Sequence, residues 1–455
     1  MKDVFLVNYT VQGVKTLDKK ISLSFYKKTI EKRPNTQNYS IKAIYGMNGS
    51  GKSAIVASVD ILRNVLINPG YLNNPFVQNN LKELVNKKTG QIDISADFIA
   101  DMGDNTRLYS YRFILSKDSS GKYVIKHECL SMKNATSKSE KMDVVYQVEE
   151  GKLALEISVD NSFKESIIGK TLNLLESSSL CGLFMEKVLL QSKEEIQQKT
   201  ELIQSMLVRS MAALYVFGSR IHVYIDQSDD HRDYFLRNTV LSVEGAVEYD
   251  ALMKYYAKMD GESLNTISVS RNVVSKSAYK QFEEDIEKLC DFLRIFKTDL
   301  QEIEIDRKED VDNYICNLLM KYEEYQIDAE FESTGVKKLI KLYTYLREMV
   351  RGGIVFVDEF DSNLHDVYLC ALLEYLMEYG KGQLCFTTHN VGPMDVLKQN
   401  KKSIDFLSVD HEIYPWITNG NYSPSKLYRG GMIAGSPFNV DSIDFIGVFD
   451  PKEDD

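Results

Sequence analysis

Residues 46–53 read Gly-Met-Asn-Gly-Ser-Gly-Lys-Ser, and no other stretch of the chain restricts its fold as strongly. An apolar run, Ile41 to Tyr45, leads into this loop, and Ile55, Val59, Leu62 and Leu66 follow it at helical spacing. A strand that meets a helix through a glycine-rich loop is the context in which GxxxxGK[ST] cradles phosphate. Glycines let the backbone N–H groups curl around an anion, and the following helix turns its positive end toward the same point. The spacing therefore predicts a polyphosphate site built from Gly46, Asn48, Gly49, Ser50 and Gly51. Lys52 would reach the β- and γ-phosphates, and the Ser53 hydroxyl would ligate Mg²⁺.

Two further segments supply the acids and bases such a site needs. Gly353-Ile-Val-Phe-Val runs into Asp358 and Glu359, which puts two carboxylates at the carboxyl end of a buried strand, the edge where open α/β sheets bind ligands. Asp358 is the candidate to hold Mg²⁺ through its water shell, and Glu359 to orient or deprotonate an attacking water. Leu384-Cys-Phe-Thr-Thr ends in His389, placed at the close of another apolar strand to sense a γ-phosphate. Ser333 precedes a helical face of Val336, Leu339, Ile340, Tyr343 and Leu346, and by itself reads as a helix cap.

Around these motifs the pattern predicts an α/β fold: an ATPase-type core with a split sheet and a mostly helical insertion. Residues 1–159 form the first half of the core with a β-rich lobe, whose strands cover Val4 to Tyr9, Ile21 to Phe25, Gln91 to Ala100, Arg107 to Leu115, Lys122 to Met132 and Met142 to Val148. Residues 160–300 read as the insertion. In it Tyr279, Phe282, Ile286, Leu289, Leu293 and Phe296 make a short heptad stripe suited to a small helical bundle. Residues 301–455 resume the alternation of buried strands and helices, and the acidic end, Asp450 to Asp455, is expected to fray.

Composition narrows the function classes. With 44% hydrophobic and 27% charged residues the chain reads as globular with a sizeable core. A net charge of -11 argues mildly against coating nucleic acid, and the pairs Lys27-Lys28, Lys87-Lys88 and Lys401-Lys402 read as solvated surface. Six cysteines without CxxC spacing point to a reducing cytoplasm rather than to disulfides or zinc. No signal-peptide pattern opens the chain, and no apolar run approaches the roughly 20 residues of a membrane span, so no membrane partner is expected.

In order and wording the motifs resemble the RecF/OLD-like branch of the SMC-type ABC ATPases, in particular the stand-alone, RloA-like ATPases of bacterial phage-defence and abortive-infection systems. The resemblance rests on Asp358-Glu-Phe-Asp-Ser-Asn-Leu-His365, on Thr387-Thr-His-Asn390, on Ile21-Ser-Leu-Ser-Phe25 and on Leu427-Tyr-Arg-Gly-Gly-Met-Ile433 with Pro437-Phe438. It covers about residues 1–65 and 330–440. It implies an ABC-type P-loop core that hydrolyses ATP with Mg²⁺ as a homodimer, open to higher oligomers. Ser333 and Gly335 would bind the γ-phosphate held by the opposite subunit, and Asp361 to His365 would face that subunit. It further implies a switch that senses a trigger and controls an effector encoded nearby, a toxin or nuclease. A RecF-like ATP-dependent clamp on DNA is the alternative. A transporter subunit fits less well, because the signature reads Ser-Thr-Gly where transporters carry Ser-Gly-Gly. No glutamine stands out as the Mg²⁺-sensing residue. The stretch after His389 is shorter than a nuclease domain of roughly 100 residues, and no DxD cluster follows Asp410, so no nuclease of its own is expected.

Overall fold

A computed structural model describes residues 4–101, 105–157, 161–186, 206–225, 266–311, 313–417, 423–433 and 436. Strands β1 (Val4–Gln12), β2 (Ile21–Ser24) and β3 (Ile41–Gly46) lead into helix α1 (Lys52–Ile67) and then α2 (Pro75–Leu84). A run of strands follows: β4 (Gln91–Asp101), β5 (Thr106–Lys117), β6 (Tyr123–Asn134), β7 (Asp143–Glu149) and β8 (Lys152–Leu155). Next come helices α3 (Asn161–Thr171), α4 (Leu180–Leu183) and α5 (Met206–Arg220), then strands β9 (Ile221–Tyr224) and β10 (Asn272–Ser275). Helix α6 (Tyr279–Phe296), strands β11 (Glu302–Asp310), β12 (Asn313–Lys321) and β13 (Gln326–Asp328), and helix α7 (Thr334–Arg351) continue the chain. It closes with β14 (Ile354–Val357), α8 (Asp366–Tyr379), β15 (Gln383–Thr387), α9 (Met394–Leu397), β16 (Ile404–Leu407), β17 (Ile413–Pro415) and α10 (Pro424–Arg429).

These elements make a mixed α/β fold with three sheets. One is six-stranded, in the order β17-β16-β3-β15-β14-β9, and every pairing in it except β16–β17 is parallel. Strands β3, β14, β15 and β16 are buried along their whole length, as expected of parallel strands covered on both faces. Ile44, Ile354, Phe356, Cys385 and Leu407 turn to one core, with α1, α5 and a seven-stranded antiparallel sheet, β2-β1-β4-β5-β6-β7-β8. Ala43, Tyr45, Val355, Val357, Leu384 and Phe386 turn to a second core, with α7, α8 and α9. Helix α1 is buried nearly all round rather than on one stripe, because it packs against both the parallel sheet and the antiparallel one. The two sheets are also joined directly: the Gln383 amide accepts from the Leu6 N–H (2.6 Å) and donates to the Leu6 carbonyl (3.0 Å), beside a register shift in β1.

The division expected at residues 160 and 300 does not follow the packing. Within 160–300, β9 lies beside β14 as an edge of the parallel sheet, α5 packs on α1, and β10 joins β11, β12 and β13 in a small antiparallel sheet. Four-residue strands such as Ile221–Tyr224 are set by their neighbours and leave too short a pattern to read. The heptad stripe does form one helix, α6, over the expected residues. Among the described residues, however, it packs on that small sheet and on α7 rather than in a bundle. The acidic end and Pro437-Phe438 lie outside the described residues. Among the described residues no helix is long and apolar enough to cross a membrane.

Candidate functional site

Parallel pairing decides where the motifs meet. Register pairs Val357 of β14 with Phe386 of β15, Thr387 of β15 with Ile44 of β3, and Gly46 of β3 with Leu407 of β16. The glycine loop, Asp358-Glu359 and Thr388-His389 therefore leave the sheet at one edge, its carboxyl edge, where ligands of open α/β sheets gather.

In the loop, Met47, Asn48 and Gly49 are exposed and Ser50 is buried. Gly51, the residue before α1, has φ +102°, and a Cβ there would come within 2.4 Å of Leu17 Cδ2, so glycine is required. The first N–H groups of α1 have no intrahelical carbonyl to bond, which leaves them free for an anion. The Ser50 hydroxyl is buried with no hydrogen-bond partner among the described residues, an orphan that a phosphate oxygen would satisfy. Lys52 is buried and folds over the loop, its Nζ donating to the carbonyls of Gly46 (2.8 Å) and Met47 (3.1 Å). Burial pushes its pKa down to about 8, against the opposing pull of Asp358, Glu359 and Asp361. Ser53 is half-buried in the first turn of α1.

Across the edge, Asp358 is buried and Glu359 exposed. Thr387 ties them together: its Oγ1 donates to Asp358 Oδ1 (2.6 Å) and accepts the Glu359 N–H (2.8 Å). Glu359 stands at φ +48°, a conformation that a non-glycine residue holds only where its surroundings over-determine it. His389 is exposed at the same edge. Desolvation of its ring and the nearby Lys52 ammonium hold its pKa below the ordinary value, while Asp361, Glu359 and Asp358 pull the other way. The imidazole is thus mainly neutral near pH 7, able to donate from one nitrogen and accept at the other.

The residues fit a magnesium–polyphosphate ligand better than a bare metal. Among the described residues no group of three His, Cys, Asp or Glu side chains could hold an ion alone. Mg²⁺ characteristically takes one or two protein ligands and completes its shell with phosphate oxygens and water. Ser53 and Asp358 would be those ligands.

Ser333 caps α7, accepting from the Val336 N–H at 3.4 Å. Its segment is joined to the turn that follows β14. A Cβ on Gly335 would sit 2.8 Å from the Asn363 carbonyl oxygen, and Thr334 Oγ1 donates to Asn363 Oδ1 at 3.4 Å. Two positions of this neighbourhood were given no role from the sequence. Thr387 was hidden inside an apolar strand. Lys338 had a legible signal: it continues Leu342, Tyr345 and Met349 at spacings of four, three and four, a cation in line with an apolar stripe. It donates to the Glu359 carbonyl and the Ser362 hydroxyl.

No protein-family model matches the chain, and no curated protein matches it. The functional reading rests on the geometry of these residues and on the motifs they spell.

Proposed function

We propose that the chain is an ABC-type P-loop ATPase that binds Mg-ATP at the β3–α1 loop and hydrolyses it as a homodimer. The observation that carries this reading is the meeting of Lys52, Asp358, Glu359, Asp361 and His389 within electrostatic reach of one another at one sheet edge. Binding and positioning fall to the loop N–H groups and Lys52. Bound Mg²⁺ would neutralise charge on the phosphates, and Ser53 and Asp358 would hold it. Glu359 orients the attacking water and accepts its proton, and His389 hydrogen-bonds at the γ-phosphate.

Each copy would present Ser333 and Gly335 to the nucleotide held by the other. Phe331, Val367 and Met47 are large apolar side chains exposed beside Ser333, His365 and the glycine loop. A second copy would cover them. Closing and reopening would then act as a switch on a partner, and the resemblance in the motifs points to a toxic or nuclease effector encoded nearby in anti-phage defence. Local partners weaken the DNA-clamp alternative: Lys27 pairs with Glu31, Lys88 with Asp18, and Lys402 donates to Ser24.

The test has two parts. Wild-type protein is expected to bind and hydrolyse Mg-ATP, and Lys52→Ala to do neither. Tagged Glu359→Gln, expressed with its chromosomal neighbours, is expected to retain a stoichiometric protein whose association depends on Mg-ATP. ATP-dependent nucleic acid with no protein passenger would move the reading to the clamp.

A further inference from the structure

A helix on the surface of a globular protein usually keeps one apolar stripe and sets charged residues outward. Helix α6 does so: Glu283, Glu284, Glu287 and Lys288 are exposed, while Ile286, Leu289 and Leu293 are buried. Helix α8 does not. Of its 14 residues only Asp366, Glu374 and Glu378 are charged, and none is basic. Leu369, Leu373 and Leu376 turn to the core of the parallel sheet. On the other side Tyr368, Tyr375 and Tyr379 are exposed by 38%, 50% and 55%, with Ala371 between the first two. Spacings of three, four and four put these four residues on one outward stripe. The Tyr375 and Tyr379 rings meet at 5.0 Å, and Phe296 of α6 meets the Tyr368 ring at 5.3 Å, which extends the aromatic face toward α6. A contiguous aromatic face in water marks an interaction surface.

Charge selects what covers it. Glu374 and Glu378 are exposed beside the tyrosines, and among the described residues neither pairs with a cation. Burying two unpaired carboxylates under an apolar partner is costly, so the partner must bring cations of its own. A second copy does not supply them. In a two-fold contact of α8 with itself, Glu374, near the middle of the helix, would face its own counterpart.

The start of α8 is tied to the candidate site. The Asn390 side chain, one residue after His389, donates to the Asp366 carboxylate and accepts the Gly392 N–H (2.9 Å). The Phe360 N–H bonds the Thr387 carbonyl (3.0 Å), and the Phe360 and Phe386 rings lie 5.0 Å apart in the core that Leu369 and Leu373 share. The segments that carry Glu359 and His389 thus reach α8 through one side-chain amide and a common core. We infer that the outer face of α8 is a docking surface for a basic amphipathic helix of a partner protein, and that Asn390 couples its occupancy to the nucleotide site. The partner's apolar side covers the tyrosines, and its lysines or arginines meet Glu374 and Glu378. The coupling rests on the ATPase reading; the surface stands without it.

The experiment measures binding of a fluorescent amphipathic peptide of leucine and lysine to the full chain, with a leucine–glutamate peptide as control. The lysine peptide is expected to bind, and the glutamate peptide to bind about tenfold more weakly. Tyr375→Ser, and Glu374→Lys combined with Glu378→Lys, should each weaken the lysine peptide about tenfold, with thermal unfolding and Mg-ATP affinity unchanged. Mg-ATP should shift the peptide affinity of wild type about threefold, and Asn390→Ala should bind both ligands without that shift. No binding of the lysine peptide, or binding that ignores these substitutions, overturns the docking surface. A photo-crosslinking residue in place of Tyr375, in protein expressed with its chromosomal neighbours, identifies the natural occupant. Attachment to a basic helix of another protein supports the inference; attachment to a second copy, to another segment of this chain or to nothing overturns it. Peptide affinity unmoved by bound Mg-ATP overturns the coupling alone. Wild-type protein that binds the peptide as expected but no Mg-ATP overturns the ATPase reading and leaves the surface standing.

Discussion

The parallel and the antiparallel sheets share helix α1 as a common wall, yet they distribute polar side chains differently. In the antiparallel sheet several of these groups are turned inward and hydrogen-bonded to one another. Glu128 of β6 is fully buried and accepts from Tyr111 OH (3.1 Å), Tyr146 OH (2.7 Å) and the Leu180 N–H (3.0 Å). Tyr9 OH meets the Ser58 hydroxyl at 2.7 Å. In the parallel sheet the strands are largely apolar, apart from the buried Lys42–Asp405 ion pair (2.7 Å), His222, Gln383 and Thr387, and among the described residues Lys52, Glu359 and His389 at its carboxyl edge meet no side-chain hydrogen-bond partner. Polar groups closed on themselves define a scaffold. Polar groups collected at an edge, with a hydroxyl and a lysine that among the described residues meet no partner outside their own loop, mark a candidate ligand site.

Substitutions on the two sides should therefore fail in different ways. The largest effect is expected for Lys52→Ala, with Mg-ATP affinity down about 1,000-fold, or about 4 kcal/mol, and little change in thermal unfolding. A comparable loss of stability would show that the edge is also part of the scaffold. Next is Glu128→Gln, which tests the interior. Burial raises the Glu128 pKa from 4.5 to about 7. Below about pH 4.5 the carboxyl is protonated whether folded or unfolded. As pH rises the unfolded chain ionises first, so the stability supplied by this group is lost between about pH 4.5 and 7, by on the order of 3 kcal/mol. Denaturant titrations across that range should show the slope in wild type and a flatter profile in Glu128→Gln, with ATP affinity unchanged. Gln383→Leu should cost about 2 kcal/mol of stability by stranding both backbone groups of Leu6, again without touching affinity. The smallest expected effect is that of Thr387→Val, about tenfold in kcat, through loss of the hydroxyl that aligns Asp358 and Glu359. A change in nucleotide affinity with an intact rate would mean that Thr387 serves binding instead.

The same contrast explains what could be read from the sequence. Strands β4 to β7 alternate over seven to twelve residues, and their limits were legible to within one or two positions. The glycine loop, Asp358, Glu359 and His389 could be picked out because the motifs they spell place particular residues at particular spacings, and the structure brings them to one edge. Strand β9 and the sheet of β10 to β13 were not. Their identity depends on partners distant in sequence, such as Ile221 with Ile354 and Asn272 with Cys316. Helix α7 showed one apolar face, Val336, Leu339, Ile340, Tyr343 and Leu346; the first four pack on the small sheet's core, and Leu346 joins the core of the parallel sheet. Its second face, Leu342, Tyr345 and Met349, covers the parallel sheet, and the buried Lys338 lies in line with that second stripe.

The central claim is that two copies close over ATP at this edge. It is tested most directly by the mass of the Glu359→Gln protein in solution, measured by light scattering with and without Mg-ATP. The account predicts a monomer that becomes a stable dimer on adding Mg-ATP, and that fails to do so when Ser333→Arg is introduced. A Glu359→Gln protein that binds Mg-ATP and remains monomeric would contradict it.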